Sequence, residues 1–114
     1  PKDWAKAVAV NATATSVLIS YVAPLLGAEG QAVFFDDPHV GEKFFAVHAA
    51  TKAAQIALAR AWQAESDKIG PRVHVLAPAP MPTATRARFF PGEDRSTLAT
   101  PQDEAQRLLA QLSL

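Results

Sequence analysis

At 114 residues the chain suffices for one domain with a modest core, and its eleven basic and eleven acidic side chains cancel. That balance argues against a polyanion partner, so no nucleic acid is expected, and Arg86, Arg88 and Arg95 read as a solvated loop rather than a phosphate site. The lack of cysteine excludes a disulfide framework and thiolate chemistry, which fits a cytoplasmic location.

Trp4, Val8, Asn11, Thr15, Leu18 and Val22 recur at spacings of three and four, which predicts a helix over residues 2–26, its end signalled by Pro24 and Gly27. The longest apolar run, Ser16 to Leu26, is short for a bilayer and holds a proline, so no membrane partner is expected. No signal peptide is visible, and the opening on Pro1 suggests a processed product or a part of something longer. Ala32-Val33-Phe34-Phe35, between Gly30 and Asp36-Asp37-Pro38, reads as a buried strand. Residues 44–68 read as a strong alanine-rich helix carrying Ile56, Leu58 and Trp62, stopped by Gly70-Pro71. Val73-His74-Val75-Leu76 reads as a second strand, with His74 a satisfied buried or edge histidine. A loop with four prolines follows between residues 78 and 91. Thr100-Pro101-Gln102-Asp103 then opens a last helix bearing Leu108, Leu109 and Leu112: a threonine cap, proline in the first turn and an acidic group near the positive end.

Helix, strand, helix, strand, helix is the pattern of an α/β layer with parallel strands. Both strands are apolar without alternation, which predicts helices on both of their faces. Two such strands leave backbone edges unpaired, so further strands are expected upstream or on a partner chain. Residues 1–114 are therefore read as a single domain segment, the second half of a doubly wound domain. Within the long helix, His48 and Lys52 stand four apart, so both side chains lie on one face and can point into one cleft. His39, His48, Asp36 and Asp37 could converge above the strand ends, but no ligand spacing matches and no metal site is expected. No Gly-rich strand-to-helix turn occurs, so these residues alone should not hold a dinucleotide pyrophosphate.

Five segments in order resemble the C-terminal half of the short-chain dehydrogenase/reductases. Trp4 to Asn11 with Ala12-Thr13-Ala14-Thr15 resembles the helix bearing the family's asparagine. Val33-Phe34-Phe35-Asp36-Asp37 stands where the family has a strand ending in serines. His48 to Lys52, continuing as Ala53-Ala54, is similar to the Tyr-x-x-x-Lys helix. Arg72 to Ala79 resembles the strand ending in Pro-Gly, with Thr83 matching a threonine shortly after it. Ala99-Thr100-Pro101-Gln102-Asp103 is similar to the opening of the last helix.

The resemblance implies a three-layer, doubly wound Rossmann-like α/β fold, present here as its C-terminal half. It also implies hydride transfer between an alcohol or carbonyl and NAD or NADP. By resemblance the catalytic positions are Asn11, Asp37, His48 and Lys52, and the cofactor-binding positions are Lys52, Pro78, Ala79 and Thr83. The family's tyrosine moves the hydroxyl proton, its lysine lowers the tyrosine pKa and holds the nicotinamide ribose, its serine donates to the carbonyl, and its asparagine helps hold a relay water. Asn11 and Lys52 carry those roles by identity. A homodimer or homotetramer through helices 2–26 and 44–68 is implied as well, with Ala50, Ala53, Ala54, Ala57 and Ala61 permitting close approach.

Elsewhere the chain departs from the pattern. His48 replaces the tyrosine, and an imidazole is a competent acid or base near neutrality, although Lys52 one turn away disfavours its charged form. Asp36 or Asp37 replaces the serine, and an ionised carboxylate accepts hydrogen bonds without donating them. Ala79 replaces a glycine that allows close backbone approach. Tyr21 lies far from this frame and is expected to pack. Two readings follow: an oxidoreductase with His48 in the tyrosine's place, or a catalytically silent relative kept for binding or oligomerisation.

Overall fold

The computed structural model describes residues 2–112. They fall into two compact units, one ending at Leu76 and one beginning at Ala77.

The first unit begins with helix α1, Lys2–Leu26. Its middle, Val8–Thr13, is π-helical, between α-helical Lys2–Ala7 and Ala14–Leu26. The switch is visible where the Ala14 N–H reaches back five residues to the Ala9 carbonyl. The predicted span of 2–26 holds, but spacings of three and four do not distinguish a π turn from an α turn. Gly27 ends the helix at φ 66°, a left-handed conformation suited to glycine. Pro24 lies inside the helix, since the freed carbonyl falls in its last turns. By length and composition α1 is apolar enough to cross a membrane, with a mean hydropathy of 1.5 over its best window. The apolar stretch is thus longer than Ser16 to Leu26, because it continues upstream through Val8, Ala9 and Val10.

Strand β1, Gln31–Phe35, and strand β2, Arg72–Leu76, pair in parallel from Gln31↔Arg72 to Phe35↔Leu76. Each begins one residue before the expected run. The ladder is extended where Arg72 N–H donates to Gly30 O at 2.9 Å and Asp36 N–H to Leu76 O at 2.7 Å. Among the described residues these are the two strands of one sheet. Apart from buried Val73, their side chains are half-buried or exposed, so the double cover expected from the apolar runs is not supplied within these residues.

Helix α2, Ala46–Ser66, connects the strands. It starts two residues later than expected because Phe44 has φ 68°, outside the right-handed helical region. It ends at Ser66, whose carbonyl accepts the Gly70 N–H at 2.8 Å. Phe45, Ala49, Ala59, Trp62 and Val73 form the unit's apolar core, with Thr15, Thr51 and Ser66 buried beside it. Trp62 meets Phe34 edge-on, centroids 6.2 Å apart. Tyr21, expected to pack, is 73 % exposed, because it sits on the face of α1 directed away from α2.

In the second unit the proline-rich stretch contains an unforeseen helix, α3, Ala84–Phe89, capped by Thr83. A short 3₁₀ turn, Arg95–Thr97, leads to helix α4, Pro101–Gln111, which Thr100 caps as its sequence predicts. Arg86 is held by both carboxylate oxygens of Glu93, at 2.9 and 2.7 Å, and lies over the Phe90 ring. Arg95 donates to the Pro82 carbonyl. These two arginines are therefore spent on internal contacts rather than simply solvated.

Candidate active site

The chain leaves β1 at Asp36 and folds into a loop, 36–45, that returns to the start of α2. His39 N–H donates to Asp37 O at 2.9 Å and Glu42 N–H to His39 O at 3.1 Å. The His39 ring stacks on buried Phe45 with centroids 4.1 Å apart and planes 17° from parallel. That stacking fixes the loop against the first turn of α2, where Phe45 also meets the His48 ring edge-on.

The result is a line of ionisable groups. Asp37 Oδ2 lies 2.8 Å from His48 Nε2, and Asp37 Oδ1 lies 2.8 Å from His39 Nε2. The other ring nitrogen of His39, Nδ1, lies 2.7 Å from Glu42 Oε2. Asp37 therefore does not stand in for a hydrogen-bond donor; it accepts from the residue at the tyrosine position. A proton held on Nε2 by this contact leaves the lone pair of a neutral His48 ring at Nδ1.

A second polar line joins α1 to α2. Asn11 Nδ2 donates to Thr51 Oγ1 at 3.0 Å, and that hydroxyl donates to the Val47 carbonyl at 2.8 Å. Thr15 Oγ1 donates to the Asn11 carbonyl at 2.9 Å and accepts from Gln55 Nε2 at 3.1 Å. Gln55 Oε1 in turn accepts from Lys52 Nζ at 2.6 Å. Asn11 and Lys52 are thus coupled through Thr15 and Gln55, and the lysine points toward Gln55 one turn on. Burial holds the Lys52 ammonium below its usual pKa, against the opposing attraction of Asp37 and Asp36.

The remaining positions lie in the second unit. Pro78 and Ala79 are half-buried, and the Ala79 N–H donates to Glu104 Oε1 at 2.8 Å. The Arg107 guanidinium and this N–H, in that order, hold the Glu104 carboxyl below its ordinary pKa. The Thr83 hydroxyl accepts from Arg86 N–H at 3.2 Å as the cap of α3. Among the described residues no group of three or more His, Asp or Glu could hold a metal ion. Asp37 pairs with His39 and with His48.

A family model described as enoyl-(acyl carrier protein) reductase matches residues 1–110. The chain belongs to the short-chain dehydrogenase/reductase family. Its Rossmann-like α/β character follows from that membership, as does an oxidoreductase relationship. No curated protein and no solved structure matches the chain. The convergence of His39, His48 and Asp37 was expected from the sequence, whereas the parts played by Thr15, Gln55 and Glu42 were not. Thr15 and Gln55 were findable, since each lies three or four residues from Asn11 or Lys52 on the same helix. His39 and Glu42 share a loop whose fold carries no periodic pattern.

Proposed function

We propose that this chain is the C-terminal half of a three-layer, doubly wound short-chain dehydrogenase/reductase domain, with His48 as the acid/base group of a nicotinamide-dependent oxidoreductase. The contact that carries this reading is Asp37 Oδ2 to His48 Nε2, 2.8 Å, on the helix that also presents Lys52. His48 exchanges a proton with the substrate oxygen, while Asp37 holds the ring in place, the division of labour that a carboxylate-imidazole pair performs elsewhere. Asp37 gives its negative charge to two imidazoles, which reduces its opposition to charge developing on the substrate oxygen.

The donor chemistry present fits the ribose end of NAD or NADP. Lys52 is half-buried and spends one of its N–H donors on Gln55, leaving two for a diol. By resemblance Pro78, Ala79 and Thr83 are the remaining cofactor positions, and the Ala79 N–H is engaged by Glu104. When bound, the nicotinamide supplies or accepts the hydride.

A cytoplasmic homodimer or homotetramer is part of the same reading. Tyr21 and Leu25 of α1 are 73 % and 82 % exposed, and Ala50, Ala53, Ala57 and Ala61 of α2 are exposed small residues. That face suits a second copy. The polar line from Asn11 and Thr15 to α2 favours packing of α1 on protein over lipid.

The alternative, a silent relative retained for assembly, is favoured by one observation, the engagement of the Ala79 N–H by Glu104. The two readings separate in the intact protein, assayed with oxidised and reduced NAD and NADP against small alcohols, carbonyls and an enoyl thioester. Turnover is expected, and His48→Ala is expected to lower it by about 100-fold or more. Unchanged turnover in His48→Ala removes His48 from the mechanism. Absence of both turnover and calorimetric cofactor binding establishes the silent reading.

A further inference from the structure

His39 has a carboxylate at each ring nitrogen: Asp37 Oδ1 at 2.8 Å from Nε2 and Glu42 Oε2 at 2.7 Å from Nδ1. A neutral imidazole carries one donor and one acceptor, and an ionised carboxylate only accepts. Both contacts are satisfied together only when both ring nitrogens are protonated. The ring is well shielded, with 18 % of its side chain exposed, and lies flat on Phe45, where the aromatic face favours a cation. Its partner Asp37 is more open, at 39 %, and sits on a loop. A short side chain in that position is free to turn unless one oxygen is fixed. His39 fixes Oδ1, and the geometry of a carboxylate then directs Oδ2 to His48.

We propose that His39, doubly protonated between Glu42 and Asp37, is the positioning residue that aims Asp37 at His48. Glu42 completes the device by holding the second proton on His39. The role in turnover rests on the reading of His48 as the acid/base group; the aiming of Asp37 does not. The other charged groups that bear on the site are Asp36 and Lys52, since both aspartates act on the lysine.

The test is nitrogen-15 NMR of the imidazoles in the intact protein at neutral pH, with turnover measured alongside. Both nitrogens of His39 are expected in the protonated range, and His48 is expected to show a slowly exchanging Nε2–H. His39→Phe keeps a ring against Phe45 and removes both donors. It is expected to abolish the protected His48 Nε2–H and to lower turnover about 10- to 100-fold, the cost of a misplaced catalytic group. His39→Lys restores a cation that can donate to both carboxylates, and is expected to recover much of each signal. A His39 ring carrying one proton, or a His48 Nε2–H that survives in His39→Phe, overturns the proposal. If His48→Ala leaves turnover unchanged while His39→Phe still abolishes the protected proton, the reading of His48 fails and the positioning role stands.

Discussion

Removing the Thr51 hydroxyl tests whether Asn11 is held in place by α2. Thr51 is 2 % exposed, its hydroxyl accepting from Asn11 Nδ2 at 3.0 Å and donating to Val47 O at 2.8 Å. Thr51→Val keeps the branched shape and loses both contacts. A half-buried Asn11 amide without its partner costs about 1–3 kcal/mol, and the added methyl returns about 0.8 kcal/mol. A net loss of about 0.2–2.2 kcal/mol is expected, or about 1–9 °C in Tm at about 4 °C per kcal/mol for this size. Asn11→Ala should cost about 1 kcal/mol, because Thr51 keeps its carbonyl partner. Thermal and urea unfolding of the wild type, both single variants and the double variant give the coupling, expected at about 1 kcal/mol. Additivity within about 0.4 kcal/mol would refute the claim that this bond ties the two helices together.

Two further outcomes follow from the first unit. Burial lowers the Lys52 pKa despite Asp37 and Asp36, so between the folded value and the ordinary one near 10.4 the unfolded chain binds more protons and stability rises with pH. Urea unfolding of Lys52→Met should show higher stability than the wild type at neutral pH, with the advantage shrinking as pH rises; an advantage that grows with pH contradicts the sign. At Gly70, φ is +70° and an added Cβ would lie 2.2 Å from the Ala28 carbonyl oxygen. Gly70→Ala should cost more than about 2 kcal/mol, from left-handed strain and the clash together. Gly92→Ala, where nothing lies within 4 Å, should stay within about 0.5 kcal/mol of the wild type, and equal losses at both sites would dismiss the clash.

Period and punctuation made most of the fold legible. Apolar spacing set the span of α1, the runs at 32–35 and 73–76 marked both strands, and Thr100-Pro101 marked the start of α4. What escaped has physical reasons. A π turn shares its apolar stripe with an α turn and differs only in which carbonyl is reached. The helix Ala84–Phe89 is six residues long and flanked by prolines, so its threonine cap was the sole local sign. At the site, Asn11, in the π-helical part of α1, and Lys52, on the regular α2, stand on helices and could be placed by frame. The partnership of Asp37 and His48 depends on a loop bent by Gly41 at φ 85° and Phe44 at φ 68° and held by the stacking of His39 on Phe45. None of that long-range geometry is written in the spacing of neighbours.

The π-helical Val8–Thr13 segment makes the length of the helix, rather than its heading, the adjustable quantity. A π turn takes about one residue more than an α turn, so the segment stores one extra residue within an otherwise continuous rod. Losing a single residue there would restore ordinary pitch while leaving Thr15 against Gln55. The same loss would leave Trp4, half-exposed at 50 %, on the side of the rod it already occupies. A one-residue change in length at this point is therefore absorbed as pitch, and both halves of the helix keep their faces.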